Sequence, residues 1–486
     1  MSRHKSSHII GLIGEPPPAW HSLKRAYQFY VMALSKSFRL QAYPTLQDFL
    51  SSRMRHEAAI VFSPELGSPL LADRHEPLLY PVWGGAIHDF HNLRELVPRL
   101  RDNERLLMTC ESDQSILQWI DPTRTAQFEM LRYPIDTSCF FKMPTSQAKM
   151  SLGLHPEQRV VGFVAKLIPE KNLHVFLDLL AQLRSAPESK DVIGVIVGDF
   201  WKDYPGLNDG NYREFILSRL EKLELSGHVK LLPSSLELSQ LNIVYNAMDV
   251  LVHPTMCVDE NFGYVPLEAL ACGTPVVATA YGGLKDSVED SGGSLLEPTW
   301  LSLSGIRADW ASMLNKVKLV LADGELSRKM RREGRRYVRK HLATAAACRT
   351  LEAIVLRAIR HRPSDVSGNA RPWAPTVVTD RRVTHKFEKW NSVAVPVGAY
   401  VSSDLPIVTP RSLLRTVADL VIGARGAIRI NDPVWSASIK VSKKQRDVLS
   451  FIGKDGMAAS RLLRRGSSLS ELQELVRLGV LTCAPV

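Results

Sequence analysis

Apolar residues along this chain fall in short bunches, separated by longer stretches with the spacing of helices. Bunches at 8–13, 58–62, 78–82 and 106–109 read as buried strands in the first part of the chain. Bunches at 160–165, 192–198, 228–232 and 276–278 do so in the second. They are short, rich in β-branched residues and bounded by Gly, Pro or polar turns, which suits parallel strands covered on both faces. Helical spacing predicts a helix over 21–35, one opening at Glu111-Ser112, and one over 327–362 split near His341-Leu342. Strand and helix in alternation specify an α/β parallel sheet. Ligands of such sheets gather at the C-terminal strand ends. The loops there include Gly14-Glu15, Ser63-Pro64-Glu65 and the run from Trp83-Gly84-Gly85 to His88.

The pattern changes after residue 362. Residues 366–372 (Val-Ser-Gly-Asn-Ala-Arg-Pro) have linker composition. Beyond them lie two capping boxes, Ser442 with Gln445 and Ser468 with Glu471, each opening an apolar helical pattern. A helix, a Gly turn and a short strand end the chain. This predicts a small, mainly helical, winged-helix-like domain over 373–486, folded apart from the rest or docked through a modest interface.

Composition adds three points. The 486 residues are enough for two to four domains. The net charge of +11 points to a polyanion, a membrane surface or an acidic substrate. From Ser364 onward there are 18 Lys/Arg against 10 Asp/Glu, so the last quarter carries most of that excess. A second basic cluster, from Arg328 to Lys340, falls on a helical pattern and reads as a solvated face. The six cysteines (110, 139, 257, 272, 348, 483) show no C-x-x-C spacing, which favours reduced thiols and a cytoplasmic setting. No signal sequence and no membrane span are expected.

Candidate chemistry concentrates in residues 253–283, HPTMCVDENFGYVPLEALACGTPVVATAYGG. This reads as loop, helix, Gly turn and buried strand. Glu260 sits in the loop and Glu268 within the helix, about two turns on. The helix begins near Phe262-Gly263, where free N–H groups and the dipole favour an anion such as a phosphate. A carboxylate accepts hydrogen bonds from paired hydroxyls, which suits a ribose or a sugar. Upstream, a buried strand ends at Lys166 and Lys171, five apart, just before a helix.

These residues resemble the retaining, family 4-like (group 1) glycosyltransferases of the GT-B fold. The match is E-x-F-G, a second Glu eight residues after the first, then E-A-x-A-x-G-x-P-V-V-A-T and Gly-Gly. It is strong from 158 to 290 and weak across the first half. The resemblance implies two Rossmann-like domains facing a cleft. Residues 1–145 would be the acceptor domain and 146–345 the nucleotide-sugar domain, with the helix to about 362 crossing back. It implies that Glu268 binds the ribose hydroxyls and Glu260 those of the transferred sugar. Phe262, Gly263 and Tyr264 would face the diphosphate and the sugar. Lys166 and Lys171 would hold the diphosphate, and Leu232 would lie in the segment that lines the base. His88 would lie near the transferred sugar, and Glu15 could face the acceptor. Four departures stand out. Lys166 and Asn172 replace the usual Arg and Gly, Tyr133-Pro134 replaces Asn-Gly, and Gly198-Asp199-Phe200-Trp201 replaces Gly-x-Gly-Pro.

The implied reaction moves a sugar from a nucleotide-diphosphate sugar to an acceptor, with retention. Cations and helix N–H groups stabilise the charge that builds on the leaving diphosphate. There is no Asp-x-Asp sequence, so neither a metal nor any other cofactor is expected. Glu260, His88 and Lys171 are the catalytic candidates. The acceptor is a natural product, a glycan, or a peptide or protein gripped by the C-terminal domain. The competing readings are a GT-B epimerase or phosphorylase, and a winged-helix nucleic-acid- or partner-binding protein with a sugar-sensing core.

Overall fold

The computed structural model describes residues 8–15, 21–62, 76–201, 212–361, 380, 382–385, 397–418, 420–423, 427–452 and 456–484. The loop expected at 63–65 and the linker expected at 366–372 lie outside them. The chain divides into two compact units. The first comprises 1–138, 258–267 and 336–374, and the second 139–257, 268–335 and 375–486.

The first unit carries a six-stranded, wholly parallel sheet: β1 (Ile9–Ile13), β2 (Arg39–Tyr43), β3 (Ala58–Val61), β4 (Leu78–Pro81), β5 (Arg105–Met108) and β6 (Phe128–Met130). Its order is β2-β1-β3-β4-β5-β6, so the order reverses at β1. Helices α1 (His21–Leu34), α2 (Leu46–Ser51), α3 (Phe90–Leu96) and α4 (Glu111–Ile120) connect the strands. All residues of β3, β4 and β5 are buried, as continuous apolar runs in a covered parallel sheet must be.

The second unit holds α5 (Thr145–Ser151), α6 (Leu173–Arg184), α7 (Tyr212–Lys222), α8 (Leu238–Ala247) and α10 (Gly283–Ser287). Helix α9 (Tyr264–Cys272) crosses the unit boundary between Leu267 and Glu268. Then follow α11 (Trp310–Ala322), α12 (Gly324–His341) and α13 (Thr344–Arg360), so the long C-terminal helix is split where its sequence predicts. Helix α13 belongs to the first unit and packs on α1, where Ser37 Oγ donates to Glu352 Oε1 at 2.7 Å.

The second sheet has seven strands: β7 (Val160–Val164), β8 (Ile193–Val197), β9 (Val229–Leu232), β10 (Val250–His253), β11 (Val276–Ala280), β12 (Ser294–Ser302) and β13 (Gly305–Ala308). Their order is β13-β12-β11-β10-β7-β8-β9, with only β13 antiparallel. The reversal falls between β10 and β7. Phe163, Phe176, Leu180, Ile196, Val252, Val277, Met313 and Val317 lie in the core between this sheet and its helices.

The C-terminal segment departs from expectation in its make-up. It is mixed rather than mainly helical. Beside α14 (Lys443–Phe451), α15 (Ala459–Arg464) and α16 (Leu469–Arg477) lie β14 (Val383–His385), β15 (Leu413–Thr416), β16 (Leu420–Ile422), β17 (Ala427–Ile430), β18 (Ala437–Lys440), β19 (Met457–Ala458) and β20 (Leu481–Ala484). They form sheets of order β14-β18-β17-β16 and β19-β15-β20. The signal was a short period-two alternation: Ala-Ile-Arg-Ile buries its second and fourth residues, Ala-Ser-Ile-Lys its first and third.

Of the two expected arrangements, apart or docked, the segment takes the docked one: residues 375–486 belong to the second unit. They pack on the β12–β13 hairpin. A Cβ on Gly305 (φ +116) would lie 2.3 Å from the Trp435 ring, so only glycine lets the indole cover this turn. The Arg307 guanidinium is buried, and burial pulls its pKa down to about 10. Its Nε donates to Gly479 O at 3.0 Å and its Nη2 to Ser304 Oγ at 2.8 Å. Arg415 pairs with Asp309, the N-cap of α11, and Leu303 N donates to Arg477 O at 2.9 Å.

Candidate active site

In the second unit the strand β7 delivers both lysines. After Val164 the chain stays beside β8, with Leu167 N donating to Asp199 O at 3.0 Å. Gly198 (φ +151) makes this approach possible, since a Cβ there would lie 2.0 Å from Ala165 O. Lys166 extends from this pair of strand ends, its Nζ 5.4 Å from the centre of the Trp201 ring. A cation over an indole face is attracted by the ring quadrupole. Trp201, part of a departure from the family pattern, therefore serves the same lysine.

The turn Pro169–Lys171 follows, closed by Asn172 at φ 57, ψ 42. That left-handed conformation explains the usual glycine, and Asn is among the few other residues that tolerate it. Asn172 also uses its side chain: Nδ2 donates to Pro254 O at 2.8 Å, just past β10. Met256 N donates to Glu170 O at 2.9 Å. The Lys171 turn is thus tied to the loop that leads into the two-glutamate motif. Lys171 is only 8% exposed. Both lysines lie at the C-terminal end of β7, beside β10, where the strand order reverses and open α/β sheets bind ligands.

Glu268 is 1% exposed in the middle of α9. Its Oε2 accepts a hydrogen bond from the Tyr245 hydroxyl at 2.9 Å. Tyr245 is fixed in turn: its carbonyl accepts from Thr274 Oγ1 at 2.6 Å, and Phe140 packs edge-on at 6.0 Å. Leu232 is half-buried at the end of β9, and its carbonyl accepts from Gly198 N at 3.0 Å.

The remaining candidates belong to the first unit, which includes 258–267. Glu260 and Phe262 are buried, and Gly263 turns the chain into α9 at φ 83. The Phe262 ring packs edge-on against two tyrosines, with ring centres 4.8 Å from Tyr264 and 5.5 Å from Tyr133. Tyr133 and Tyr264 stack at 6.1 Å, and the Arg25 guanidinium lies 5.8 Å over Tyr264. Tyr133 thereby has a role that the usual Asn-Gly could not fill. Burial holds its phenol well above the ordinary pKa, so it stays neutral. His88 follows the Gly84-Gly85 turn, is largely exposed, and places Nδ1 3.1 Å from Asp89 Oδ1. Glu15 is exposed after Gly14, which has φ +115.

Among the described residues no group of three His, Cys, Asp or Glu comes together as a metal site. None of the six cysteines is joined in a disulfide, and no described helix is long and apolar enough to cross a membrane.

Residues 145–337 match the family described as glycosyl transferases group 1. The chain carries a group 1 glycosyl transferase domain. Lys166, Lys171, Leu232, Glu260, Phe262, Gly263, Tyr264 and Glu268 all fall inside that domain, whereas His88 and Glu15 lie outside it. Among curated relatives, a D-inositol 3-phosphate glycosyltransferase of Mycobacteroides abscessus is 30% identical over 245 residues, 50% of this chain and 48% of that protein. One from Segniliparus rotundus is 32% identical over 166 residues, 34% of each chain. The chain thus spans half or less of the length of these relatives. Among solved structures, sucrose-phosphate synthase from Thermosynechococcus elongatus superposes with a TM-score of 0.59 at 18% identity, over 72% of this chain and 98% of that one. Anabaena HepE in complex with UDP-glucose gives 0.56 at 18%, over 72% and 99%. The shared fold is GT-B, with parallel Rossmann-like sheets.

The group 1 domain also contains residues to which the sequence assigned no role. Tyr245 lies in the LNIVYNAMDV stretch, which matched the family without pointing to a task. Asn261 occupies the variable position of E-x-F-G.

Proposed function

We propose that this protein is a retaining, metal-independent glycosyltransferase of the cytoplasm that uses a nucleotide-diphosphate sugar. The reading rests most on the lysine pair, Lys166 and Lys171, at the strand-order reversal of the second sheet. In the reaction the bond from the sugar C1 to the diphosphate oxygen breaks. A bond from the acceptor atom to C1 forms on the same face, and the acceptor proton passes to the leaving diphosphate. Negative charge builds on that diphosphate, and two fixed ammonium groups stabilise it more in the transition state than in the ground state. The free N–H groups opening α9 add to this. Glu268 would take the ribose hydroxyls and Glu260 those of the transferred sugar, with His88 beside it. Phe262, Gly263 and Tyr264 shape the approach, and Leu232 borders the base. UDP-sugars are the first donors to test, because HepE is solved with UDP-glucose. The test is thermal stabilisation by a panel of nucleotide-sugars, since a ligand of the native state raises the melting temperature. No shift with any of them, at concentrations up to the millimolar range, would sink the donor assignment.

For the acceptor, a peptide or protein gripped by the C-terminal segment is favoured over nucleic acid by two observations. The third helix of a winged-helix reader lies open to the DNA groove. Here the polar side of α16 is occupied by the chain itself. Gln473 bonds Val408 N at 2.8 Å and Pro406 O at 3.0 Å, Glu474 pairs with Arg382 at 2.6 Å, and Arg477 pairs with Asp380 at 3.1 Å. Meanwhile β14, an extended piece of the chain, lies antiparallel along the edge of β18. Among the described residues β14 is then an edge strand of its sheet, and such an edge can pair with an extended peptide.

A further inference from the structure

The loop bearing Glu260 is held from the far side by a residue in α4. Asp113 lies in the first turn of α4, where a carboxylate ordinarily faces water and the helix dipole. Instead it is 0% exposed. Its Oδ1 accepts from Ala86 N at 2.7 Å, and its Oδ2 accepts from Asn261 Nδ2 at 3.3 Å. The same Asn261 amide donates to Val82 O at 3.2 Å. Asn261 O accepts from Thr109 Oγ1 at 2.9 Å. Both acceptors facing the Asn261 amide are oxygens, which fixes that amide's orientation. All these residues lie in the first unit.

Two loops therefore meet on one buried carboxylate. One runs from Gly84 to His88. The other has Asn261 at its centre, with Glu260 and Phe262 on either side. We propose that Asp113 and Asn261 form a positioning clasp that holds the Glu260 loop and the Gly84–His88 turn in one fixed arrangement. A carboxylate out of water stays charged only with donors around it, and here those donors come from two loops distant in sequence. Loosening either bond releases a loop whose side chain needs sub-ångström placement for catalysis. The roles are positioning ones, exerted through Glu260 and His88. The kinetic part rests on the proposed transferase reading, whereas the structural part does not.

The experiment uses the full chain and its Asn261→Ala, Asn261→Asp and Asp113→Asn variants. Hydrogen exchange is read on peptides covering 82–90 and 257–264. The clasp predicts that Asn261→Ala speeds exchange at 259–263 at least tenfold. Asp113→Asn should speed exchange in both segments. Where Asp113→Asn fails to fold, the half-buried Asn261 variants carry the decision. On a donor that the wild type accepts, Asn261→Ala should lower kcat about tenfold with donor KM changed less than twofold. Asn261→Asp, nearly the same shape, should be worse than Asn261→Ala, because it sets a second carboxylate against Asp113 and Val82 O. Unchanged exchange at 259–263 in Asn261→Ala, or wild-type kcat in Asn261→Asp, overturns the clasp. A wild type inactive on every donor would count against the transferase reading alone, and the exchange result would still decide the clasp.

Discussion

The Tyr245 hydroxyl donates a hydrogen bond to Glu268 Oε2 at 2.9 Å, and Glu268 itself is 1% exposed. Glu268 Oε2 is thus held by the protein itself, through a helix that precedes it in the chain. Glu268→Ala should weaken nucleotide binding by about 1.5–3 kcal/mol, the loss of hydrogen bonds to a charged partner. Glu268→Gln, which keeps an acceptor for Tyr245, should lose less. Calorimetric titration with UDP checks both, and an unchanged Kd in Glu268→Ala would rule out the ribose role.

Lys171→Ala should lower kcat more than it changes donor affinity, because the diphosphate gains charge only as the bond breaks. Lys171→Arg should keep part of the activity. Trp201→Ala, which removes the ring beside Lys166, should raise donor KM with a smaller effect on kcat. Steady-state kinetics on the three variants decide this. Normal turnover by Lys171→Ala would contradict the diphosphate assignment.

The β12–β13 hairpin gives a prediction about the C-terminal segment. A chain ending near residue 361 loses the partners of Arg307, Asp309 and the Gly305 turn. It also exposes Leu303, which packs on the apolar core of the segment, to water. The truncated chain should therefore melt well below the full one, or fail to stay soluble. Arg415→Ala should lower the melting temperature more than a substitution at exposed Arg411. A truncated chain as stable as the full one would contradict the docking.

Burial and the nearby charges of Arg331 and Arg335 push the Lys142 ammonium down to about 8. Its Nζ donates to Thr145 Oγ1 at 2.9 Å. In the unfolded chain a lysine titrates near 10.4. Between these values the unfolded state binds more protons, so this group's effect on stability improves as pH rises from about 8 toward 10 and is fully unfavourable below 8. Lys142→Gln should therefore melt higher than the wild type at pH 7. The difference should shrink as pH rises toward 10. A constant difference across that range would contradict the shifted titration.

What the sequence made legible was local. Residues 160–164 and 276–278 announce themselves as covered strands because each run holds no polar side chain. The glutamate pair, with its Gly turn and following strand, is one contiguous pattern. The departures Asn172 and Tyr133 could be seen but not explained. The reason for each lies in a partner far along the chain, Pro254 for one and Phe262 with Tyr264 for the other. Asp113 and Asn261 are 148 positions apart, and nothing near either residue announces the other. The C-terminal sheets were missed because four-residue strands give too few alternations to stand out beside two clear capping boxes. Which surface that segment docks on was not legible, because Gly305 and Arg307 meet partners far along the chain, Trp435 and Gly479.

The most direct test is nucleoside diphosphate release from a panel of UDP-, GDP- and ADP-sugars, measured for the wild type and Lys171→Ala side by side. A retaining transferase with its cations at the end of β7 releases the diphosphate slowly by hydrolysis even without its acceptor. At least one donor should therefore give release above background with the wild type, and Lys171→Ala should abolish most of it. Release from no donor, or equal release by the two proteins, would contradict the account.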